Sequence, residues 1–242
     1  MKDNIPNKVV VVSGGANGFC RLQVEGLLMC GAHVSIIGKN EQFTRQIALE
    51  LQNKYGEDRV LACMGIDLTN FSQAFKAIEA TIFQFGRIDM VIGGTASNYL
   101  RDYSHISSCG WDKIVEIDSE ASINLAVASN EQLSRSMGKF LYLDPTVHGY
   151  EVEFASVMTD SSMEKCFDIL LSSGVEVLHM KKNSWEEIIH HTISTLYPSE
   201  SMANRVLAEV MSISKNVMKG GLYRVTTSKE VRLGAAPIES RL

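Results

Sequence analysis

Proline is scarce, with 4 in 242 residues, and no stretch gathers it with glycine or serine, so no long linker is expected. The five cysteines (Cys20, Cys30, Cys63, Cys109 and Cys166) form no CxxC pair and no repeated spacing. An odd number without a framework reads as reduced, intracellular thiols. No apolar run approaches the roughly 20 residues needed to span a bilayer. The most hydrophobic stretch, Val24 to Ile37, is broken by Glu25 and His33, and Met1-Lys2-Asp3-Asn4 leads into no apolar signal core. An excess of basic charge is missing too. Lysine and arginine total 23 against 28 acids, a net charge of −5, which provides no basic face for nucleic acid. His190 and His191 are adjacent on a helical pattern, face different directions and have no HExxH partner, so no metal site is expected.

What remains is ordinary globular composition, 45% hydrophobic and 21% charged, at a length within one α/β unit. Lys8 to Ser13 (KVVVVS) is a short β-branched run of the kind buried on both faces of a sheet. Phe19 to Cys30 predicts a helix and His33 to Ile37 a second strand. Phe71, Phe75, Ile78, Ile82 and Phe85 recur on one helical face, read as core, with Thr69 and Asn70 as capping candidates. Ile88–Ile92, Lys139–Leu143, Val175–His179 and Gly221–Val225 read as further strands. Trp111–Met137, Glu153–Leu171, Trp185–Leu196 and Glu200–Ile213 read as helices. Strand and helix alternate with short connections and no internal repeat. The expected fold is α/β, a doubly wound parallel sheet of the Rossmann type between two helical layers, as a single domain over 1–242 with a tail from 226 to 242.

The chemistry begins after the first strand. Ser13-Gly14-Gly15-Ala16-Asn17-Gly18-Phe19-Cys20 places glycines at a strand-to-helix turn. Gly14 suits the tight turn, and Gly18 lets the backbone approach a phosphate at the helix N-terminus. The third glycine of such loops is replaced by Cys20, whose side chain crowds the helix against the strand.

Taken with the segments that follow, this chain resembles the short-chain dehydrogenase/reductase family, and within it the peroxisomal 2,4-dienoyl-CoA reductases. The resemblance runs from Lys8 to about Val225 and is strongest in the first half. Ser13-Gly14-Gly15-x-x-Gly18 resembles the family's phosphate loop, and Asp67-Leu68-Thr69 its acidic turn against adenine. Gly93-Gly94-Thr95-Ala96 stands where the family usually has Asn-Asn-Ala-Gly. Ser97-Asn98-Tyr99-Leu100 is similar to the Gly-Asn-Phe-Leu of dienoyl-CoA reductases, and Asp118 falls where that group has aspartate. The resemblance implies a cofactor site at Ser13, Gly14, Asn17, Gly18, Phe19, Lys39, Asp67, Leu68, Gly93 and Gly94. It implies an acyl-CoA thioester at Asn98 and Tyr99, with Arg101 meeting the anionic part of coenzyme A.

The second strand ends Ile36-Ile37-Gly38-Lys39-Asn40, with a cation and no acid before Glu41. A carboxylate there would hold a ribose 2′-hydroxyl, whereas Lys39 attracts a 2′-phosphate, so NADP(H) is the favoured dinucleotide. The alternative is that Lys39 is a solvated surface lysine. The second half departs from the family. Tyr-x-x-x-Lys, in which the lysine depresses the tyrosine pKa for proton exchange, is absent from the whole chain. Matching the helices places Ser156 and Asp160 at its two positions. The family's serine after the fifth strand has no counterpart beyond Thr146, and its Pro-Gly after the sixth is replaced by Met180-Lys181-Lys182. Asp118 would then position a water for protonation, or serve as a helix-start acid.

Two readings stay open. One is an NADPH-dependent reductase of enoyl or dienoyl thioesters with impaired or altered catalysis. The other is an inactive scaffold that binds a dinucleotide, an acyl-CoA or a partner subunit. Ser240-Arg241-Leu242 resembles the Ser-Lys-Leu address read by the peroxisomal import receptor, so peroxisome is expected, with cytoplasm as the alternative. Relatives associate through the long helices corresponding to Ala121–Met137 and Glu153–Leu171, so a homo-oligomer is expected.

Overall fold

The structure, a computed structural model, describes residues 7–16, 18–94, 119–144, 153–180 and 184–218, with backbone alone for 153–162 and 215–218. Six strands are β1 (Val9–Ser13), β2 (His33–Gly38), β3 (Val60–Met64), β4 (Met90–Gly93), β5 (Lys139–Leu143) and β6 (Glu176–Met180). The helices are α1 (Gly18–Met29), α2 (Glu41–Tyr55), α3 (Phe71–Phe85), α4 (Ala121–Ser136), α5 (Glu153–Ser172), α6 (Trp185–Leu196) and α7 (Glu200–Met218). The strands pair in parallel in the order β3-β2-β1-β4-β5-β6. This is the doubly wound sheet that the alternating sequence rhythm predicts.

All of β1 is buried, and its residues alternate between two cores. Val10 and Val12 face α1, α2, α6 and α7, while Val11 faces α3, α4 and α5. A sheet covered on both faces favours the β-branched, unbroken runs seen in β1 and β2. The chain winds outward through β2 and β3, then crosses back to β4 on the other side of β1. That reversal opens a crevice at the carboxyl ends of β1 and β4, where open α/β sheets take ligands.

Several elements differ from their sequence expectation. The helix α2, strand β3 and the 3-10 turn Glu57–Arg59 are not among the elements expected from the sequence, although β3 (VLACM) is an apolar run; of α2 only Thr44, Ala48 and Leu51 are buried. Asn40 starts α2 by accepting from the Phe43 N–H at 2.9 Å. In α3 the buried face is Ala74, Ala77, Ile78 and Thr81, not the aromatic stripe; Phe71 and Phe75 are 46% and 44% exposed. Small residues let α3 lie close to the sheet and α4, and the phenylalanines flank that contact. Asn70 does cap α3, accepting from the Gln73 N–H. Within 111–137 the described helix is Ala121–Ser136, closed by Met137 in a left-handed conformation. Gly221–Val225 and 226–242 lie outside the described residues.

Helix α1 is buried nearly all round, between the sheet and helices α2, α6 and α7, so its polar residues find partners inside. Gln23 donates to Thr192 Oγ1 at 3.3 Å. Glu25, 2% exposed, accepts from Arg21 at 2.9 Å, from Lys54 at 3.0 Å and from the Tyr55 hydroxyl. Among the described residues no helix is long and apolar enough to cross a membrane.

Candidate functional site

Ser13 ends β1 with its side chain wholly buried, and its hydroxyl ties the two strands at the reversal. It donates to the Ile92 carbonyl at 3.1 Å and accepts from the Gly94 N–H at 2.7 Å. Its position in the turn is therefore that of a clamp between β1 and β4. Gly14 follows at φ +67°, its N–H donating to the Ile37 carbonyl at 2.9 Å. A Cβ on Gly15 would stand 3.0 Å from Ile36 and Val24, so the turn lies directly on the sheet. Gly18 opens α1 at φ +44°, and no acid occupies the first helical turn. Positive φ at Gly14 and Gly18, the close-lying turn and an uncontested helix N-terminus make a cradle that fits a pyrophosphate.

The next rim is formed by the ends of β2 and β3. A Cβ on Gly38 would meet Thr44 Oγ1 at 2.1 Å, so α2 starts hard against β2. Lys39 Nζ reaches Asp67 Oδ2 at 2.6 Å; the lysine side chain is 75% exposed and the aspartate 30%. Asp67 Oδ1 accepts from the Thr69 N–H at 3.1 Å and the Thr69 hydroxyl at 2.8 Å. Burial raises the Asp67 pKa, but Lys39 and Thr69 outweigh it and hold the carboxyl below its usual range. Leu68 is buried behind this turn, 6% exposed. Lys39 and Asp67 thus meet across the ends of β2 and β3.

At β4, Gly93 and Gly94 face the turn after β1; a Cβ on Gly14 would lie 3.8 Å from the Gly94 carbonyl. Cys20 fills the space left by Gly94, its thiol 3.6 Å from that carbonyl, and burial pushes its pKa up to about 12. A Cβ on Gly94 would stand 2.9 Å from Cys20 Sγ and 3.1 Å from Leu143. Gly94→Ala is therefore expected to cost about 1–3 kcal/mol by overpacking. Combining it with Cys20→Ala should recover most of that loss, because the two sites share one volume. Urea unfolding of the two single variants and the double variant measures the coupling; additive losses would contradict the fit.

Along β5 and β6 the described side chains include aromatic rings. Tyr142 pairs in register with His179, and their rings cluster with Phe167 of α5 at centroid separations of 5.1 to 5.7 Å. Asp144, fully buried, follows β5 with Oδ2 3.7 Å from His179 Nε2. An aromatic, histidine-bearing layer occupies this end of the sheet. Phe19 is buried at the start of α1.

Asn17, Asn98, Tyr99, Arg101 and Asp118 lie outside the described residues, as do Lys181 and Lys182. Ser156 and Asp160 fall in the first half of α5, in the span described by backbone alone. Two supporting residues escaped sequence reading. Asn124 of α4 donates to the Leu68 and Thr69 carbonyls at 2.9 and 3.0 Å, and Gln73 accepts from the Asp67 N–H at 2.7 Å. Asn124 braces the Asp67 turn across the fold, where no local sequence pattern reveals it, and Gln73 braces it from the first turn of α3. Among the described residues no group of three or more metal-ligating side chains converges; His190 pairs with Glu200 at 3.1 Å.

The short chain dehydrogenase family model matches residues 8–142, more than half of the sequence. The chain belongs to the short-chain dehydrogenase family. Among similar curated proteins, the peroxisomal 2,4-dienoyl-CoA reductase of Saccharomyces cerevisiae is 37% identical over 153 residues, 63% of this chain and 52% of that protein. The peroxisomal 2,4-dienoyl-CoA reductase of Mus musculus is 25% identical over 136 residues, 56% of this chain and 46% of that one. This short-chain dehydrogenase family member thus spans about half the length of the curated relatives it matches. A solved 3-ketoacyl-(acyl-carrier-protein) reductase of Brucella melitensis, complexed with NADH, shares the fold with a TM-score of 0.66 at 15% identity. The likeness covers 82% of this chain and 94% of that one.

Proposed function

We propose that this chain is an NADP(H)-binding oxidoreductase of the 2,4-dienoyl-CoA reductase type, with its dinucleotide half intact and its turnover impaired. The observation that carries the reading is the glycine cradle at the β1–β4 reversal, with Lys39 and no carboxylate ending β2. Gly14, Gly18 and the first amides of α1 would hold the pyrophosphate; Lys39, Asp67 and Leu68 would border the adenosine. The named substrate class of the yeast and mouse relatives supports a dienoyl-CoA thioester, with Asn98, Tyr99 and Arg101 as its contacts. A nicotinamide dinucleotide bound there would supply a hydride. Asp118 and a water would deliver the proton, because Ser156 and Asp160 replace the residues that do so in the family.

Loss of Tyr-x-x-x-Lys removes both the acid and the cation that tunes it, which is why slow turnover is part of the proposal. The charge reversal at Asp160 also favours the second reading, a scaffold that binds without turnover. The compartment proposed is the peroxisome, named for both relatives. Self-association through α4 and α5 belongs to the same proposal, supported by exposed Val127 on α4 and Ile169 and Leu171 on α5.

Titrating the protein against NADPH and NADH by nicotinamide fluorescence tests the reading. Saturable binding of both, tighter for NADPH, is expected. No saturation with either, or a preference for NADH, would overturn it.

A further inference from the structure

Among the described residues, Lys39 after β2 and Arg45 of α2 are each already answered by a carboxylate. Arg45 closes on Glu41 at 2.9 Å within α2, an exposed pair on one helix face. Lys39 closes on Asp67 at 2.6 Å, but the two partners are not equivalent. Asp67 is fixed: Thr69 holds its second carboxylate oxygen, Gln73 its backbone N–H, and Asn124 the two carbonyls after it. The Ile66 N–H donates to the Gly38 carbonyl at 3.2 Å, locking the β3 exit against the end of β2. Lys39, by contrast, is three-quarters exposed and hangs on a flexible four-carbon stem.

We propose that Asp67 is a built-in counter-ion that attenuates the preference of Lys39 for a 2′-phosphorylated dinucleotide. The inference rests on the dinucleotide-binding reading above and sharpens it to specificity. A 2′-phosphate reaching Lys39 must either share the ammonium with a fixed carboxylate or pull the ammonium away from it. A 2′-hydroxyl carries no charge and feels neither effect. The pair therefore compresses the NADPH-to-NADH affinity ratio without weakening the pyrophosphate cradle. Because the pair is solvent-facing, the effect is moderate: a single unit charge at contact range in water changes an affinity by about fivefold. It also fades as salt screens the rim, over a Debye length of about 8 Å at physiological ionic strength.

The test is the NADPH-to-NADH affinity ratio, the NADH dissociation constant divided by that of NADPH, read by fluorescence titration at low and high salt. Asp67→Asn keeps the turn's shape and is expected to raise the preference for NADPH about fivefold, mostly through NADPH, with a smaller gain at high salt. Lys39→Met, an exposed change that leaves the fold intact, is expected to lower the ratio. In the double variant, Asp67→Asn should no longer raise it. If Asp67→Asn weakens both dinucleotides equally, Asp67 acts on the shared adenine and the inference is wrong. An unchanged ratio in either single variant overturns it as well. If the unmodified protein binds neither dinucleotide, the underlying reading fails, and the inference with it.

Discussion

Replacing Glu25 by leucine is expected to remove about 3–5 kcal/mol of stability, because it strands charge inside the protein. Arg21 is 7% exposed, and Glu25 is its close carboxylate partner at 2.9 Å; Glu50, more exposed, stands at 3.8 Å. Lys54 and the Tyr55 hydroxyl converge on the other carboxylate oxygen, so one side chain joins α1 to α2. Burial alone would raise the Glu25 pKa, but Tyr55, Arg21 and Lys54 overcome it and leave the carboxyl below its usual range. A carboxyl with a folded pKa below its unfolded value of about 4.3 stabilises the fold above that pH. The contribution disappears as pH falls through the folded pKa. Urea midpoints at pH 7 should fall sharply in Glu25→Leu, and the acid limb of stability below the ordinary carboxylate range should flatten relative to the unmodified chain. A midpoint shift worth under about 0.5 kcal/mol, the scale of ordinary surface changes, would mean that the cluster is solvated and carries little.

Installing Ser156→Tyr together with Asp160→Lys is expected to raise NADPH oxidation by 2,4-dienoyl-CoA about a hundredfold, the lower range of acid-base catalysis. The two positions lie one turn apart in α5, so residues placed there share a helix face. A lysine one turn from a phenol lowers the phenol pKa, so the gain should follow a titration absent from the unmodified chain. Either single substitution should give little, because the acid and its tuning charge act as a unit. No gain in the double variant, with NADPH affinity retained, would show that α5 is matched in the wrong register.

The start of the fold, from β1 through α1 to β2, was legible because its signals are local. A β-branched run beside Gly14 and Gly18 encodes a buried strand, a tight turn and a helix start within a dozen residues. The lysine ending β2 was equally visible, but its ion pair with Asp67 was not, since that contact joins two strand ends far apart in sequence. The aromatic stripe of α3 misled because periodicity locates a face without saying whether bulky or small residues meet the sheet. There Ala74 and Ala77 take the contact. Asn124 was invisible for a related reason: a polar residue braces a distant turn only through the fold. At the β5 and β6 ends, motif reasoning could name what is missing but not the Tyr142, His179 and Phe167 cluster that stands there.

The most direct test of an intact dinucleotide half joined to an altered proton-donating half is one mixing experiment. Protein saturated with NADPH is mixed with a 2,4-dienoyl-CoA, and nicotinamide fluorescence is followed continuously. An enhanced signal on NADPH binding that decays at least about a hundredfold more slowly than in the Ser156→Tyr, Asp160→Lys variant is the expected result. No enhancement would contradict the dinucleotide site. Rapid decay in the unmodified protein would contradict the impaired half, and would mean that this chain delivers its proton efficiently without the tyrosine and lysine.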